Sequence, residues 1–163
     1  MTQQFRHEQL QVYRRAVEFA HAASNLIDSW PSKFAIRQQL DRATESIVVN
    51  LAKSAQHQRT AAGIYELECS LGSVLECAAC LDIAVLRQLL GKSETDEPKQ
   101  LLQEIARMEI GLRRSWLGDM SLEDDEEAYV STPRRYFAPE SLVVYQRCLQ
   151  VNEMLAPAFT SEQ

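Results

Sequence analysis

"QLDRATESIVVNLAKSAQ", residues 39–56, decides the fold. Leu40, Ala43, Ile47 and Leu51 recur three or four positions apart, the period of a helix that buries one face. Gln39, Arg42, Ser46 and Asn50 repeat the same spacing one position earlier, so a polar stripe runs beside the apolar one. A helix of this length is a rod of about 30 Å, and one apolar stripe has to be covered by other elements. The rest of the chain supplies them as helices.

Upstream, Leu10, Tyr13, Val17, Ala20 and then Ser24 or Leu26–Ile27 predict a helix from about Glu8 to Ser29, ended by Trp30–Pro31. The second helix is expected to start near Ser32, as its N-cap, and to reach about Gln56. "AAGIYELECSLGSVLECAACLDIAVLRQLL" predicts a third from Ala61 to Leu90, with Gly91 just past its end. Its expected buried stripe is Ile64, Leu67 or Cys69, Leu71, Leu75, Ala78 or Ala79, Ile83 and Leu86. A polar turn follows, and a fourth helix runs from Pro98 to Leu117 with Leu101, Ile105, Met108, Leu112 and Trp116 on one face. Four rods with short connections make an all-α, antiparallel up-down-up-down four-helix bundle over residues 1–118. Residues 119–163 read as a C-terminal extension, an acidic linker followed by a short fifth helix from Pro139 to about Leu155. That last helix is too short to stand alone in water, so it is expected to dock on its own bundle or on a neighbouring subunit.

The chain has 163 residues and a formal charge of −6. Six acids (Asp119, Glu123, Asp124, Asp125, Glu126 and Glu127) account for all of that excess. Residues 1–59 carry eight Lys or Arg against five acids. Arg14, Arg15, Arg37, Arg42, Lys53 and Arg59 of this part are therefore the candidate contacts to a partner or to phosphate. The overall acidity gives nucleic-acid binding no support, and its confinement to one segment removes most of the argument against it. No apolar run approaches the ~20 residues of a membrane span, and the N-terminus has no apolar signal core. A cytoplasmic protein is expected.

The polar residues of the buried helices admit two readings. Ser46 and Asn50, on consecutive turns, are either a solvated edge or half of a hydrogen-bonded network that fixes helix register, with Ser73 and Glu76 of the third helix as the other half. Gly72 beside Ser73 makes a notch of small residues, expected to receive another helix.

Signs of chemistry are few. Cys77 and Cys80 form a C-x-x-C deep inside a helix, with no second pair to complete a zinc site and no strand before it to suggest a redox motif. Cys69, Cys77, Cys80 and Cys148 are read as structural thiols. Glu66, Glu68, Glu76 and Asp82 are not a close pair, and no Glu-x-x-His motif accompanies them. Nucleotide-binding and nucleophile-elbow motifs are missing from the sequence. No cofactor is expected. A metal-binding or enzymatic bundle using the third helix's Cys and Glu residues is the competing reading.

"LQVYRRAVEFA", "QLDRATESIVVNLAKS" and "YELECSLGSVLECAACLDIA" together resemble the four-helix-bundle family of the 23S rRNA intervening-sequence protein. That family is taken to include the accessory variability determinant of diversity-generating retroelements. The resemblance rests on Leu10, Val12, Tyr13 and Ala16, then Gln39, Leu40, Arg42, Ala43, Ser46, Ile47, Asn50, Leu51 and Ala52, then Leu71, Gly72, Ser73, Glu76 and Leu81. Lys53–Ser54 departs from it, standing where the family pattern has Glu–Gly. The resemblance implies a ring-shaped homo-oligomer, commonly a pentamer. It also implies a non-enzymatic role near RNA or a reverse transcriptase. The expected function is therefore a non-catalytic oligomeric scaffold for a protein or ribonucleoprotein partner.

Overall fold

The computed structural model describes residues 5–118. Four helices follow one another: α1 (Gln11–Asp28), α2 (Ala35–Gln56), α3 (Ala61–Leu86) and α4 (Asp96–Gly118). Each packs on the next, and α4 returns to pack on α1, which closes the antiparallel four-helix bundle. The extension that the sequence assigns to an acidic linker and a fifth helix lies outside the described residues.

In α2 the expected stripe is the buried one: Leu40, Ala43, Ile47 and Leu51 are at most 2% exposed. The helix starts at Ala35 behind Phe34, which offers no side-chain cap, so Ser32 is not the N-cap that the sequence predicted. Pro31–Lys33 instead make a turn after the buried Trp30.

The predicted face of α1 is displaced. A 3-10 turn at His7–Gln9 precedes the helix, and Leu10 is extended, so α1 begins later than expected. Val12, Ala16, Phe19, Ala23 and Ile27 form its buried column, while Val17 is 45% exposed. Two apolar columns lie side by side here, and the one carrying the large Phe19 faces inward.

The predicted face of α3 is also displaced. Its buried residues are Gly63, Leu67, Ser70, Ser73, Val74, Cys77, Cys80, Leu81 and Ala84. Most are small, so α2 and α4 can approach closely. Ile64, Leu71, Ala78 and Val85 pack against the core's edge, whereas Leu75, Ile83 and Leu86 lie on the outward side, only partly buried and outside the core. By length and composition alone α3 could cross a membrane. The sequence reading expected no such span.

α3 stops at Leu86, four residues early. The Leu89 N–H bonds the Ala84 carbonyl and the Gln88 N–H bonds the Val85 carbonyl, with Gln88 left-handed at φ 56°. This is a Schellman ending built without glycine. Gly91 instead precedes the 3-10 turn Lys92–Thr95, where its N–H is bound by the Glu94 carboxylate at 2.5 Å. In α4 the inward face is Pro98, Leu102, Ile105, Ala106, Glu109 and Trp116, rotated from the predicted one. Gly72 is exposed, and a β-carbon there would meet nothing within 4 Å, so none of the described helices fills the expected notch.

Candidate functional site

The polar stripe of α2 lies along its seam with α3. At the solvent side of that seam, Asn50 Nδ2 donates to Ser46 Oγ at 3.1 Å, and Ser73 Oγ donates to the same Ser46 Oγ at 2.8 Å. Ser73 also lies 3.0 Å from the Cys69 carbonyl. Glu76 is not part of this group. It accepts a hydrogen bond from Gln39, one to two turns further along the seam. Lys53 and Glu66 close the other end at 3.9 Å. The four network residues named from the sequence thus sit on one seam in two separate clusters, Ser46–Asn50–Ser73 and Gln39–Glu76. Ser46 and Asn50 stay partly open to solvent and Ser73 is 8% exposed, so water can complete what the protein leaves unpaired.

Deeper in the seam, Thr44 Oγ1 donates to the Leu40 carbonyl at 2.7 Å and lies 3.7 Å from the Cys77 sulfur. One layer along, Ser70 Oγ is 3.3 Å from the Ile47 carbonyl of α2 and 2.5 Å from Glu109 Oε1 of α4. Glu109 is 1% exposed, and its Oε2 has no hydrogen-bond partner. Burial pushes its carboxyl up to about 8, against a smaller opposing pull from Ser70. Sequence reasoning missed Ser70 and Glu109. The signal was there: Leu102, Ile105, Glu109 and Trp116 share a helical face, and a carboxyl on an apolar stripe marks a buried charge.

The six candidate basic residues do not converge. Arg14 is exposed and donates to the Glu8 carbonyl at 3.1 Å. Arg15 pairs with Glu18 at 2.6 Å and with Glu104 of α4 at 3.2 Å. Arg37 donates to the Trp30 carbonyl at 3.0 Å and lies 4.0 Å from Asp28. Lys53 faces Glu66, Arg42 is exposed near the middle of α2, and Arg59 occupies a left-handed turn after it at φ 59°. Arg37 and Lys53 stand at opposite ends of α2, about 24 Å apart at ~1.5 Å per residue. Pairing with acids further lowers the positive potential that a phosphate backbone would meet.

The third helix's acids are likewise dispersed. Glu66 faces Lys53, Glu76 accepts from Gln39, Glu68 pairs with Arg113 at 2.9 Å, and Asp82 pairs with Lys99. Burial pushes the thiols of Cys77 and Cys80 up to about 12, so they stay protonated. Among the described residues no three His, Cys, Asp or Glu side chains are grouped to hold a metal ion.

The outward side of α3 is the other feature of note. Tyr65, Gly72, Leu75, Ala79, Ile83 and Leu86 follow one another along it, with Glu68 and Glu76 among them and Tyr65 64% exposed. Of the most apolar stretch of α3, only 39% is buried.

Compared with known proteins, residues 8–111 match the family model described as 23S rRNA-intervening sequence protein. No curated protein and no solved structure matches the chain.

Proposed function

The chain belongs to the 23S rRNA-intervening sequence protein family, and from that premise we propose that it is a non-catalytic scaffold. It assembles with copies of itself, as a pentamer, and presents the assembly to a protein or ribonucleoprotein partner. The observation that carries this reading is the outward side of α3. Helices of soluble bundles hold apolar residues on the side that packs and polar ones on the other. α3 carries apolar residues on both, interrupted on the outward side by Glu68 and Glu76, and that side has Gly72 and Ala79 where another backbone can come close. A largely apolar helix face that the described helices leave partly open marks an interaction surface.

A reverse transcriptase is one partner this reading accommodates. The dispersed and ion-paired basic residues favour a protein contact over a direct phosphate contact. The metal or enzyme reading draws no support from Cys77 and Cys80, whose buried thiols stay protonated and have no further ligand grouped with them among the described residues.

Sedimentation equilibrium tests the proposal. The expected species is five times the 18.6 kDa chain. Ala79→Arg is expected to dissociate it while leaving the helical signal and the melting cooperativity of the bundle in place. A single species of 18.6 kDa at micromolar concentration overturns the assembly.

A further inference from the structure

Ser70 has one hydroxyl proton and two acceptors within reach. The Ile47 carbonyl is 3.3 Å from its oxygen, and Glu109 Oε1 is 2.5 Å away. Both contacts are hydrogen bonds at once only if one of the other two groups brings a proton. A carbonyl has none to bring, whereas a neutral carboxyl does. Glu109 is 1% exposed, and with its Oε2 unpartnered an ionised carboxylate would be left with one bond and no water. Such a charge is among the most costly groups to bury.

We propose that Glu109 carries its proton in the folded bundle, donating it to Ser70, which passes its own hydroxyl proton to the Ile47 carbonyl, and that loss of the carboxyl proton releases α4 from α3. The chain Glu109 O–H to Ser70 O–H to Ile47 carbonyl crosses three helices, so α2, α3 and α4 are joined by a single titratable proton. Among the described residues no positive charge bears on the ionised form. On α1, Arg15 is held by Glu18 and Glu104, and on α2 Lys53 faces Glu66. On α3, Glu66 and Glu68 are turned to Lys53 and Arg113, and Cys77 stays protonated. Arg113, one turn along α4, is engaged by Glu68. Burial and Ser70 are the two influences on the Glu109 carboxyl, and burial dominates.

The sign is opposite to that of a salt-bridged acid. In the unfolded chain the carboxyl titrates near its ordinary value of 4.5, and in the bundle near about 8. Between these the folded state binds the extra proton. Stability therefore falls as pH rises through this window and levels off above about 8.

The experiment follows melting of the intact chain from about pH 5 to about pH 9, beside Glu109→Gln. The Gln amide can donate to Ser70 as the neutral acid does, but does not titrate. The wild type is expected to lose melting temperature steadily across the window, with amide protection in α4 lost before that in α2. Glu109→Gln is expected to be flat there and to melt higher than the wild type above about pH 8. Parallel profiles for the two proteins overturn the proposal. Should Glu109→Gln fail to fold, infrared spectra of the wild type decide. A protonated-carboxyl band at neutral pH that vanishes with a midpoint near about 8 upholds the proposal, and its absence at neutral pH overturns it.

Discussion

Gly63, in the first turn of α3, stands against the carbonyl of His57 at the end of α2. A β-carbon on Gly63 would lie 2.0 Å from that carbonyl oxygen, far inside contact distance. The obstruction is backbone, which cannot rotate aside as a side chain does. Gly63→Ala is therefore expected to destabilise the bundle by about 3 kcal/mol, at the upper end for overpacking, although alanine is the better helix former. Urea denaturation read by circular dichroism measures it. A stability equal to the wild type would mean that the α2–α3 turn relaxes freely.

Thr60 holds the same turn. Its Oγ1 donates to the His57 carbonyl at 2.8 Å and accepts from the Gly63 N–H at 3.2 Å, so one hydroxyl serves the end of α2 and the start of α3. Thr60→Ala is expected to cost about 1 kcal/mol, and Thr60→Ser to recover most of it. The two variants measured side by side in urea separate the hydroxyl's share from that of the methyl group.

Asn50→Leu is a weaker perturbation than a buried network would make it. Asn50 bonds Ser46, not Glu76, and Ser46 keeps its bond from Ser73 when Asn50 is gone. The expected loss is at or below about 1 kcal/mol, the net worth of one partly hydrated hydrogen bond. A double-mutant cycle of Asn50→Leu with Ser73→Ala measures the coupling through Ser46, expected near zero for residues that share only an acceptor. A coupling above about 2 kcal/mol would show that the cluster acts as a unit.

Cysteine labelling is expected to follow burial. Cys69 is partly exposed, whereas Cys77 and Cys80 are buried with thiols that titrate near about 12, raised from 9.0 chiefly by burial. Because the folded value lies above the unfolded one, both stay protonated at neutral and mildly alkaline pH. Peptide mapping after brief alkylation at about pH 8 is expected to find label on Cys69 and none on Cys77 or Cys80 until the chain unfolds. Label on Cys77 in the native protein would place it in a far more open helix than this one.

How far the fold was legible depended on how many sides of each helix were apolar. α2 has a single apolar stripe, and Leu40, Ala43, Ile47 and Leu51 were read correctly. α3 has apolar residues all round, so spacing alone could not choose a face, and preference for size picked Leu71, Leu75 and Ile83 over Ser70, Cys77 and Ala84. α1 offered two columns, and the choice fell on Val17 instead of Phe19. The end of α3 was misplaced because Gln88 takes the left-handed position that a glycine would have signalled. At the seam, Ser46, Asn50 and Ser73 were visible as small polar residues at helical spacing. Glu109 was equally legible, as a carboxyl on an apolar stripe, but was passed over, and only burial reveals what Ser70 does for it. The scatter of Arg14, Arg15, Arg37, Arg42, Lys53 and Arg59 could not be read from charge counts, since the acids that pair with them come from other turns and other helices.

The small side chains on the inner side of α3 set an uneven tolerance to change. Gly63, Ser70, Ser73, Cys77 and Ala84 are held to their size by the helices pressed against them. Leu75, Ala79 and Ile83, on the far side, are only partly buried and stand outside the core of the described residues. A randomised library selected only for a folded monomer would then return Gly, Ala, Ser and Cys at the first set and nearly any residue at the second. Selecting the same library for assembly would narrow the second set as well. The sequences kept by one selection and discarded by the other would trace, position by position, the footprint of whatever covers this helix in the cell.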